Sequence, residues 1–217
     1  MAVNNPGKIV VKIGVLALQG AFREHLRSIK KCGADAVEIR FPHQLEDVDG
    51  LIIPGGESTT ITKLMDKYNF RPALVKFHKE GKPLFGTCAG MILLSRQVSG
   101  HDFALGFIDI SVLRNAYGRQ VDSFEKDIEL ADEGNLNHGY FKAVFIRAPK
   151  ILKTGPDVKI LGTLNGSVIL ARQDNVLVAS FHPELTNDIR IHMYFIDMVI
   201  KSKNMVKSKS SKEIILK

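Results

Sequence analysis

The sequence predicts an α/β fold with a mostly parallel central sheet. Nearly continuous apolar runs rich in β-branched residues, such as residues 9–18, are typical of strands buried on both faces of a parallel sheet. Helical segments alternate with these runs through the first half of the chain, and glycines such as Gly33 and Gly81 end the helices. A length of 217 residues with 45% hydrophobic and 24% charged residues suits one compact domain.

The first half of the chain is predicted to contain four strands and three helices before a further helix that begins at the turn around Cys88. The strands are expected at residues 9–18, 36–40, 51–53 and 83–85, and the helices at 21–31, from 58 or 59 through 65, and at 72–80. Ser58 or Thr59 has a side-chain oxygen that can cap the second helix.

Short β-like segments replace this alternation from Phe107 onward. They lie at 107–113, 143–146, 158–164, 167–172 and 176–181, and we expect antiparallel strands packed beside the parallel sheet. The acidic stretch Asp127 to Gly139 is expected to be a surface loop, and a last amphipathic helix to span about 189–200. We therefore expect residues 1–200 to form a single domain and residues 201–217 a flexible basic tail.

The net charge of +7 is concentrated at the carboxyl terminus. Residues 201–217 hold six lysines against one acid, Glu213. This distribution favours a solvated tail, and a nucleic-acid-binding or membrane-surface role for it is the weaker alternative. No apolar run approaches the roughly 18 residues needed to span a bilayer, and we expect no leader. Two cysteines, Cys32 and Cys88, are too few for a disulfide framework, which favours a reducing cytoplasm.

Cys88 is the candidate nucleophile. The pattern Gly86-x-Cys88-x-Gly90 follows a predicted strand and begins a helix, as in a nucleophile elbow. Backbone N–H groups at a helix start favour the thiolate form of such a cysteine. The same small residues would also serve a helix that packs closely on a strand, with Cys88 as a small buried side chain.

A candidate base and its orienting carboxylate lie far along the chain, in His182-Pro183-Glu184. Pro183 imposes an extended backbone that lets an imidazole project from a strand end. Taken alone, the tripeptide is weak evidence for a catalytic base, because His-Pro also occurs in ordinary turns. The remaining histidines have no carboxylate or cysteine at metal-ligand spacing, so no metal site is expected; they are His25, His43, His78, His101, His138 and His192.

Residues 54–60, with the sequence Pro-Gly-Gly-Glu-Ser-Thr-Thr, end a strand and begin a helix. Their amides can bind an anion or a developing oxyanion. The loop lacks the lysine of a P-loop, so a nucleotide site is not expected. Arg114 and Arg147 lie at predicted strand ends, where a guanidinium can hold a carboxylate or simply face solvent.

Together these motifs resemble the class I, or triad, glutamine amidotransferases, and in particular the family of glutaminase subunits of pyridoxal 5′-phosphate synthase. The resemblance extends from about residue 13 to about residue 200. It is carried by residues 16–25 (LALQGAFREH), 54–60 (PGGESTT), 86–90 (GTCAG), 114–124 (RNAYGRQVDSF), 145–149 (FIRAP) and 181–185 (FHPEL).

The resemblance implies a flavodoxin-like three-layer sandwich and the hydrolysis of L-glutamine to glutamate and ammonia. It implies that Cys88 is the nucleophile, His182 the general base and acid, and Glu184 the carboxylate that orients His182. Gln19 matches a segment near the active site and the synthase interface. The positions that match glutamine-binding residues are Gly56, Glu57, Ser58, Arg114, Ile146 and Arg147.

The chemistry of amide hydrolysis predicts an oxyanion-binding site and a partner protein that uses the ammonia. Backbone amides of Ala89 and of the Gly55-Gly56 region suit the oxyanion, since glycine lets a peptide reorient. Ammonia is mostly protonated in neutral water and the chain has no second active site to use it. We therefore expect a partner that uses the ammonia, and the resemblance implies that it is a PdxS-like synthase subunit in a hetero-oligomeric complex. We expect no cofactor, metal, nucleic acid or membrane.

Two alternatives remain open at this point. The chain could serve another acceptor, such as the imidazole glycerol phosphate branch of histidine synthesis. It could also be a catalytically silent binding subunit on the same fold.

Overall fold

The computed structural model describes residues 10–114, 123–137 and 139–215. The helices are α1 (Phe22–Lys31), α2 (Ser58–Lys67), α3 (Phe70–Lys79), α4 (Ala89–Leu94) and α5 (Arg190–Ile215). The strands are β1 (Lys12–Leu16), β2 (Asp35–Ile39), β3 (Gly50–Ile53), β4 (Leu84–Thr87), β5 (Ser95–Val98), β6 (Ile108–Leu113), β7 (Ser123–Leu130), β8 (Gly139–Ile146), β9 (Lys150–Thr154), β10 (Lys159–Leu164), β11 (Ser167–Gln173) and β12 (Val176–Ala179).

The predicted α/β class is confirmed by one nine-stranded sheet of order β2-β1-β3-β4-β12-β11-β10-β7-β8. The first five strands in this order are parallel, and the remaining four continue the same sheet in antiparallel register. A second sheet of three strands, β5-β6-β9, lies apart from it. The parallel strands are apolar on both faces because both faces of the large sheet are covered.

Two details of the predicted β pairing were wrong. The segment 176–181 was expected to be antiparallel, and β12 does pair antiparallel to β11, but its other neighbour is β4, to which it is parallel. Most of the other late strands extend the parallel sheet rather than pack beside it. The physical reason is that a tight hairpin joins β11 to β12 and returns the chain to the free edge of β4.

The core forms two apolar layers, one on each face of the sheet. The first contains α1 and α5, with Phe22, Ile29 and Phe195 buried against the strands. The second contains α2, α3, α4 and the small sheet, with Met65 and Leu74 among its buried residues. Helices on both faces of one sheet make the three-layer sandwich that was predicted.

The stretch Asp127 to Gly139 is only partly a loop. Residues 127–130 belong to β7 and pair with β8, where Leu130 lies opposite Gly139. Ile128 and Leu130 are buried while Asp127 and Glu129 are exposed, so the polar-apolar alternation is that of a strand with one buried face.

Helix α5 continues well past the predicted end near residue 200 and reaches Ile215. Ser202 donates a hydrogen bond to the Gly81 carbonyl at 2.9 Å, and the Lys203 ammonium lies 2.8 Å from Asp49. These contacts hold the first turn of the lysine-rich segment against the body of the protein. The division into a domain ending at residue 200 and a tail stays a prediction. None of the described helices is both long enough and apolar enough to cross a membrane.

Candidate active site

Cys88 lies at the sharp junction between β4 and α4. Its backbone has φ 47° and ψ −101°, a left-handed conformation that costs a non-glycine residue about 1–3 kcal/mol. The flanking glycines permit this turn: a Cβ at Gly90 would lie 1.9 Å from the Ile53 carbonyl oxygen, and one at Gly86 would lie 2.5 Å from Gly90. The Sγ atom lies 3.8 Å from the carbonyl oxygen of Ile146.

His182 reaches Cys88 because β4 and β12 are neighbouring parallel strands that end side by side. Ala179 of β12 is in register with Thr87 of β4, and its carbonyl accepts the Cys88 amide at 2.8 Å. His182 follows three residues later, and its imidazole lies beside the Cys88 side chain, since a Cβ at Gly55 would contact both. Both side chains are buried, with 6% of each residue exposed.

Glu184 holds the other side of the His182 ring. Its Oε1 atom lies 2.7 Å from His182 Nδ1, and the carboxylate is fully buried. The His182 amide donates to the Val144 carbonyl at 2.8 Å, so β8 fixes the backbone that carries the ring. The structure therefore brings Cys88, His182 and Glu184, which the sequence analysis singled out, into one chain of contacts.

The electrostatics of this group favour a protonated imidazole next to a carboxylate. Burial lowers the pKa of His182, but its interactions with Cys88 and with the hydrogen-bonded Glu184 carboxylate outweigh burial and raise the pKa to about 10. Burial raises the pKa of Glu184, but the nearby His25 and the hydrogen bond with His182 bring it below its usual value. Glu184 is therefore ionised at neutral pH.

The raised pKa of His182 predicts a pH-dependent contribution to stability. A histidine in the unfolded chain loses its proton near pH 6.5, whereas folded His182 keeps it up to about pH 10. The contribution of this proton to the free energy of unfolding is complete below pH 6.5 and is lost as the pH rises to about 10. In urea unfolding at several pH values, the free-energy difference between the native chain and His182→Gln should shrink over this window. A constant difference would contradict the assignment.

A second layer of buried polar side chains lies behind Glu184. His25 Nε2, on α1, is 3.3 Å from Glu184 Oε2 and 3.1 Å from the Thr87 hydroxyl. His25 Nδ1 is 3.0 Å from His192 Nε2, on α5. The sequence analysis treated both histidines as isolated, because nothing near them in sequence indicates a partner. The one signal was the position of His25 within the family-like segment 16–25.

The glycine-rich loop after β3 covers the sulfur and the imidazole. The Gly55 amide donates to the Thr87 hydroxyl at 3.0 Å, and the Gly55 carbonyl accepts the Ala21 amide at 3.0 Å. A Cβ at Gly55 would lie 2.3 Å from His182 Cε1 and 3.2 Å from the Cβ of Cys88. Only glycine therefore fits here without displacing the imidazole.

Gln19 and Glu57 fix the far end of this loop. Gln19 Oε1 accepts the Glu57 amide at 2.8 Å. Glu57, rather than the predicted Ser58 or Thr59, is the N-cap of α2, and its carboxylate accepts the amides of Thr59 and Thr60. Burial works against ionisation of Glu57, but these hydrogen bonds and those from the Thr59 and Thr60 hydroxyls lower its pKa to about 2. A carboxylate two atoms longer than a serine hydroxyl reaches the same amides from one position earlier.

A cavity of about 420 Å³ opens above Cys88. Its lining includes Cys88, His182 and Gly55 together with all the predicted glutamine-binding positions, which are Gly56, Glu57, Ser58, Arg114, Ile146 and Arg147. Gln19, Ala89 and Glu184 lie outside the lining, where Gln19 holds the loop and Glu184 contacts the far side of His182. Arg114 Nη2 is 3.4 Å from Glu57 Oε1, so the cavity has both a cation and an anion. Residues 115–122 of the predicted motif lie outside the described residues.

Comparison with known proteins places this geometry in a family. The model of the SNO glutamine amidotransferase family matches residues 15–201. The pyridoxal 5′-phosphate synthase subunit PdxT of Pelotomaculum thermopropionicum is 52% identical over 193 residues, which cover 88% of this chain and 97% of that protein. The same subunit of Anoxybacillus flavithermus is 54% identical over 195 residues, covering 89% of this chain and all of the relative. A crystallised glutamine amidotransferase superposes with a TM-score of 0.80 at 47% identity, covering 86% of this chain and 98% of that one.

Proposed function

This chain belongs to the SNO glutamine amidotransferase family, and we propose that it is the glutaminase subunit of a pyridoxal 5′-phosphate synthase. It hydrolyses L-glutamine to L-glutamate and ammonia, and the ammonia passes to a PdxS-like synthase subunit in a hetero-oligomeric complex. The observation that carries the proposal is the contact chain Cys88–His182–Glu184 at the floor of a cavity, in a chain about half identical to PdxT proteins over nearly their whole length.

In the proposed reaction, Cys88 attacks the side-chain carboxamide carbon of glutamine as a thiolate. His182, already protonated at neutral pH, pairs with this thiolate, and Glu184 stabilises the imidazolium. The tetrahedral intermediate expels ammonia, which takes its proton from His182, and leaves a γ-glutamyl thioester on Cys88. His182 then removes a proton from water, the hydroxide attacks the thioester, and glutamate leaves.

Backbone amides stabilise the negative oxygen of both tetrahedral intermediates. The Ala89 amide is at the start of α4, directly after Cys88, and the Gly55-Gly56 peptide lies above the sulfur. Removal of one such donor typically costs about a hundredfold or more in turnover. Arg114 and Arg147 are the proposed ligands of the glutamine α-carboxylate, because both line the cavity.

The loop carrying Gly55 is the proposed point of control by the synthase. Segment 19–21 determines its orientation, because Gln19 binds the Glu57 amide and Ala21 binds the Gly55 carbonyl. Gln19 also matches a family position near the synthase interface. A partner that shifts this segment can therefore turn the Gly55-Gly56 peptide toward or away from the oxyanion.

We expect the synthase subunit to raise the rate of glutamine hydrolysis by about tenfold or more, since a modest bias of the loop suffices for that change. The measurement is glutamate release with and without the synthase, together with pyridoxal 5′-phosphate formation. Added ammonium salt should support the synthase alone, whereas glutamine should support it only when this subunit is present. Equal glutaminase rates with and without the synthase would contradict the control mechanism. A complex that makes no pyridoxal 5′-phosphate from glutamine would contradict the function.

The proposal extends to location and domain organisation. Both cysteines are free thiols, which suits the reducing cytoplasm. We propose that residues 1–200 are the catalytic domain and residues 201–217 a basic extension, since the family match ends at residue 201.

A further inference from the structure

A pair of buried histidines joins two parts of the proposed active site. His25 and His192 have no solvent exposure, and neither lines the cavity. His25 Nε2 lies between Glu184 Oε2, at 3.3 Å, and the Thr87 hydroxyl, at 3.1 Å. The same hydroxyl accepts the Gly55 amide at 3.0 Å. His25 thus contacts both Glu184, which holds His182, and Thr87, which holds the glycine-rich loop.

The contacts assign the proton on each ring of this pair. A carboxylate only accepts hydrogen bonds, so an unprotonated Nε2 of His25 would place two lone pairs opposite each other at 3.3 Å. The Nε2 atom therefore carries the proton. It donates to the Thr87 hydroxyl and lies in close electrostatic contact with Glu184 Oε2, to which it makes no hydrogen bond. His25 Nδ1 is then an acceptor and receives the Nε2–H of His192 at 3.0 Å.

The environment keeps both rings neutral. Burial lowers the pKa of His25 despite the nearby Glu184, and burial with the neighbouring His25 lowers the pKa of His192 to about 3. His192 Nδ1 is buried with no hydrogen-bond partner among the described residues, as fits an unprotonated nitrogen facing apolar rings such as Phe85. Charging this pair would bury a second cation beside protonated His182.

We propose that His25 is a positioning residue for glutamine hydrolysis, which holds Glu184 and, through Thr87, the Gly55 amide in one geometry. The inference rests on the proposed glutaminase function and deepens it. Glu184 Oε1 is held by His182 itself, so the orientation of the carboxylate depends on what holds Oε2. Oε2 makes no hydrogen bond among the described residues, and the polar group that faces it is His25 Nε2, at 3.3 Å. Through Thr87, the same imidazole also fixes the height of the loop above Cys88.

The test compares His25→Leu, which removes the polar N–H that faces Glu184 and Thr87, with His25→Gln, whose amide keeps an N–H donor at this position. In the complex with the synthase, His25→Leu should lower kcat by about tenfold or more, the usual range for a supporting hydrogen-bond partner. The KM for glutamine should change by less than about twofold, because His25 does not line the cavity. His25→Gln should recover most of the lost kcat. His78→Leu is the matched control, because His78 stacks on Phe107 in a different layer, and its kcat should equal that of the native complex.

Histidine NMR on the full chain measures the pKa of His182 and the tautomer of His25, which loss of packing alone would not change. The pKa of His182 should fall in His25→Leu and stay near its native value in His25→Gln and His78→Leu. In the native chain, His25 should be the neutral Nε2–H tautomer from pH 6 to 8. This last measurement needs no variant, so it decides the proposal even if His25→Leu does not fold.

Three results would overturn the inference: a charged or Nδ1-protonated His25 in the native chain, an unchanged pKa of His182 in His25→Leu, or equal losses of kcat in the leucine and glutamine variants. Failure of the proposed function is distinguishable, since the native complex would then release no glutamate while the NMR results could still hold.

Discussion

Replacing Cys88 with alanine is expected to abolish glutamine hydrolysis while leaving the complex with the synthase intact. The thioester cannot form without Sγ, and removal of an acyl-transfer nucleophile typically costs a factor on the order of 10⁶ in kcat. The alanine keeps the backbone of the β4–α4 turn, and Cys88 is buried below the cavity rather than on an outer surface. Glutamate release by the purified complex, with size-exclusion chromatography for assembly, measures both expectations.

Cys32 provides the matched control for this experiment. It is the other free thiol, and burial raises its pKa to about 11, so it is a poor thiolate. Cys32→Ala should therefore retain native turnover, and we expect alkylating reagents to inactivate this variant and the native chain alike. Retained glutaminase activity in Cys88→Ala would remove Cys88 from the mechanism.

Adding one methyl group at Gly55 should cause the second largest loss of activity. The Cβ of alanine would lie 2.3 Å from His182 Cε1, so the imidazole or the loop must move by about 1 Å or more. Misplacement on this scale costs about a hundredfold in rate. We expect Gly55→Ala to lower kcat by at least that factor, and crystallography should find the ring displaced from Cys88.

Gly162→Ala is the control, because it adds the same methyl group to a strand position away from His182. A Cβ at Gly162, on β10, would meet its nearest neighbour at 3.4 Å, which is an ordinary contact. Its turnover should match the native value. Native turnover in Gly55→Ala would mean that the loop is free to move away from His182 without cost.

The fold and the main site residues could be predicted because their signals are local. Apolar runs, glycine turns and the Gly86-x-Cys88-x-Gly90 pattern each occupy fewer than about a dozen residues. The position of β12 next to β4 depends instead on which sheet edge the returning hairpin meets, and no local pattern encodes that choice. The resemblance to a family, rather than periodicity, linked Cys88 to His182.

The contacts that sequence reasoning missed are of two kinds. His25 and His192 lie 167 positions apart and touch only because α1 and α5 pack on the same face of the sheet. The cap of α2 was misplaced by one residue because Ser58, Thr59 and Glu57 all have suitable oxygens, and the backbone angles of Glu57 decide between them.

The hydrogen bond between the His182 amide and the Val144 carbonyl also helps to protect the protein from aggregation. Strand β8 is outermost in the large sheet, and bare strand edges are templates for intermolecular pairing and aggregation. The His182 amide donates to the Val144 carbonyl, so this acceptor on the edge of β8 is already paired. Local unfolding of the backbone at His182 would therefore expose an unpaired carbonyl on the edge of β8 and displace the catalytic imidazole together. We expect loss of activity and aggregation to occur in parallel.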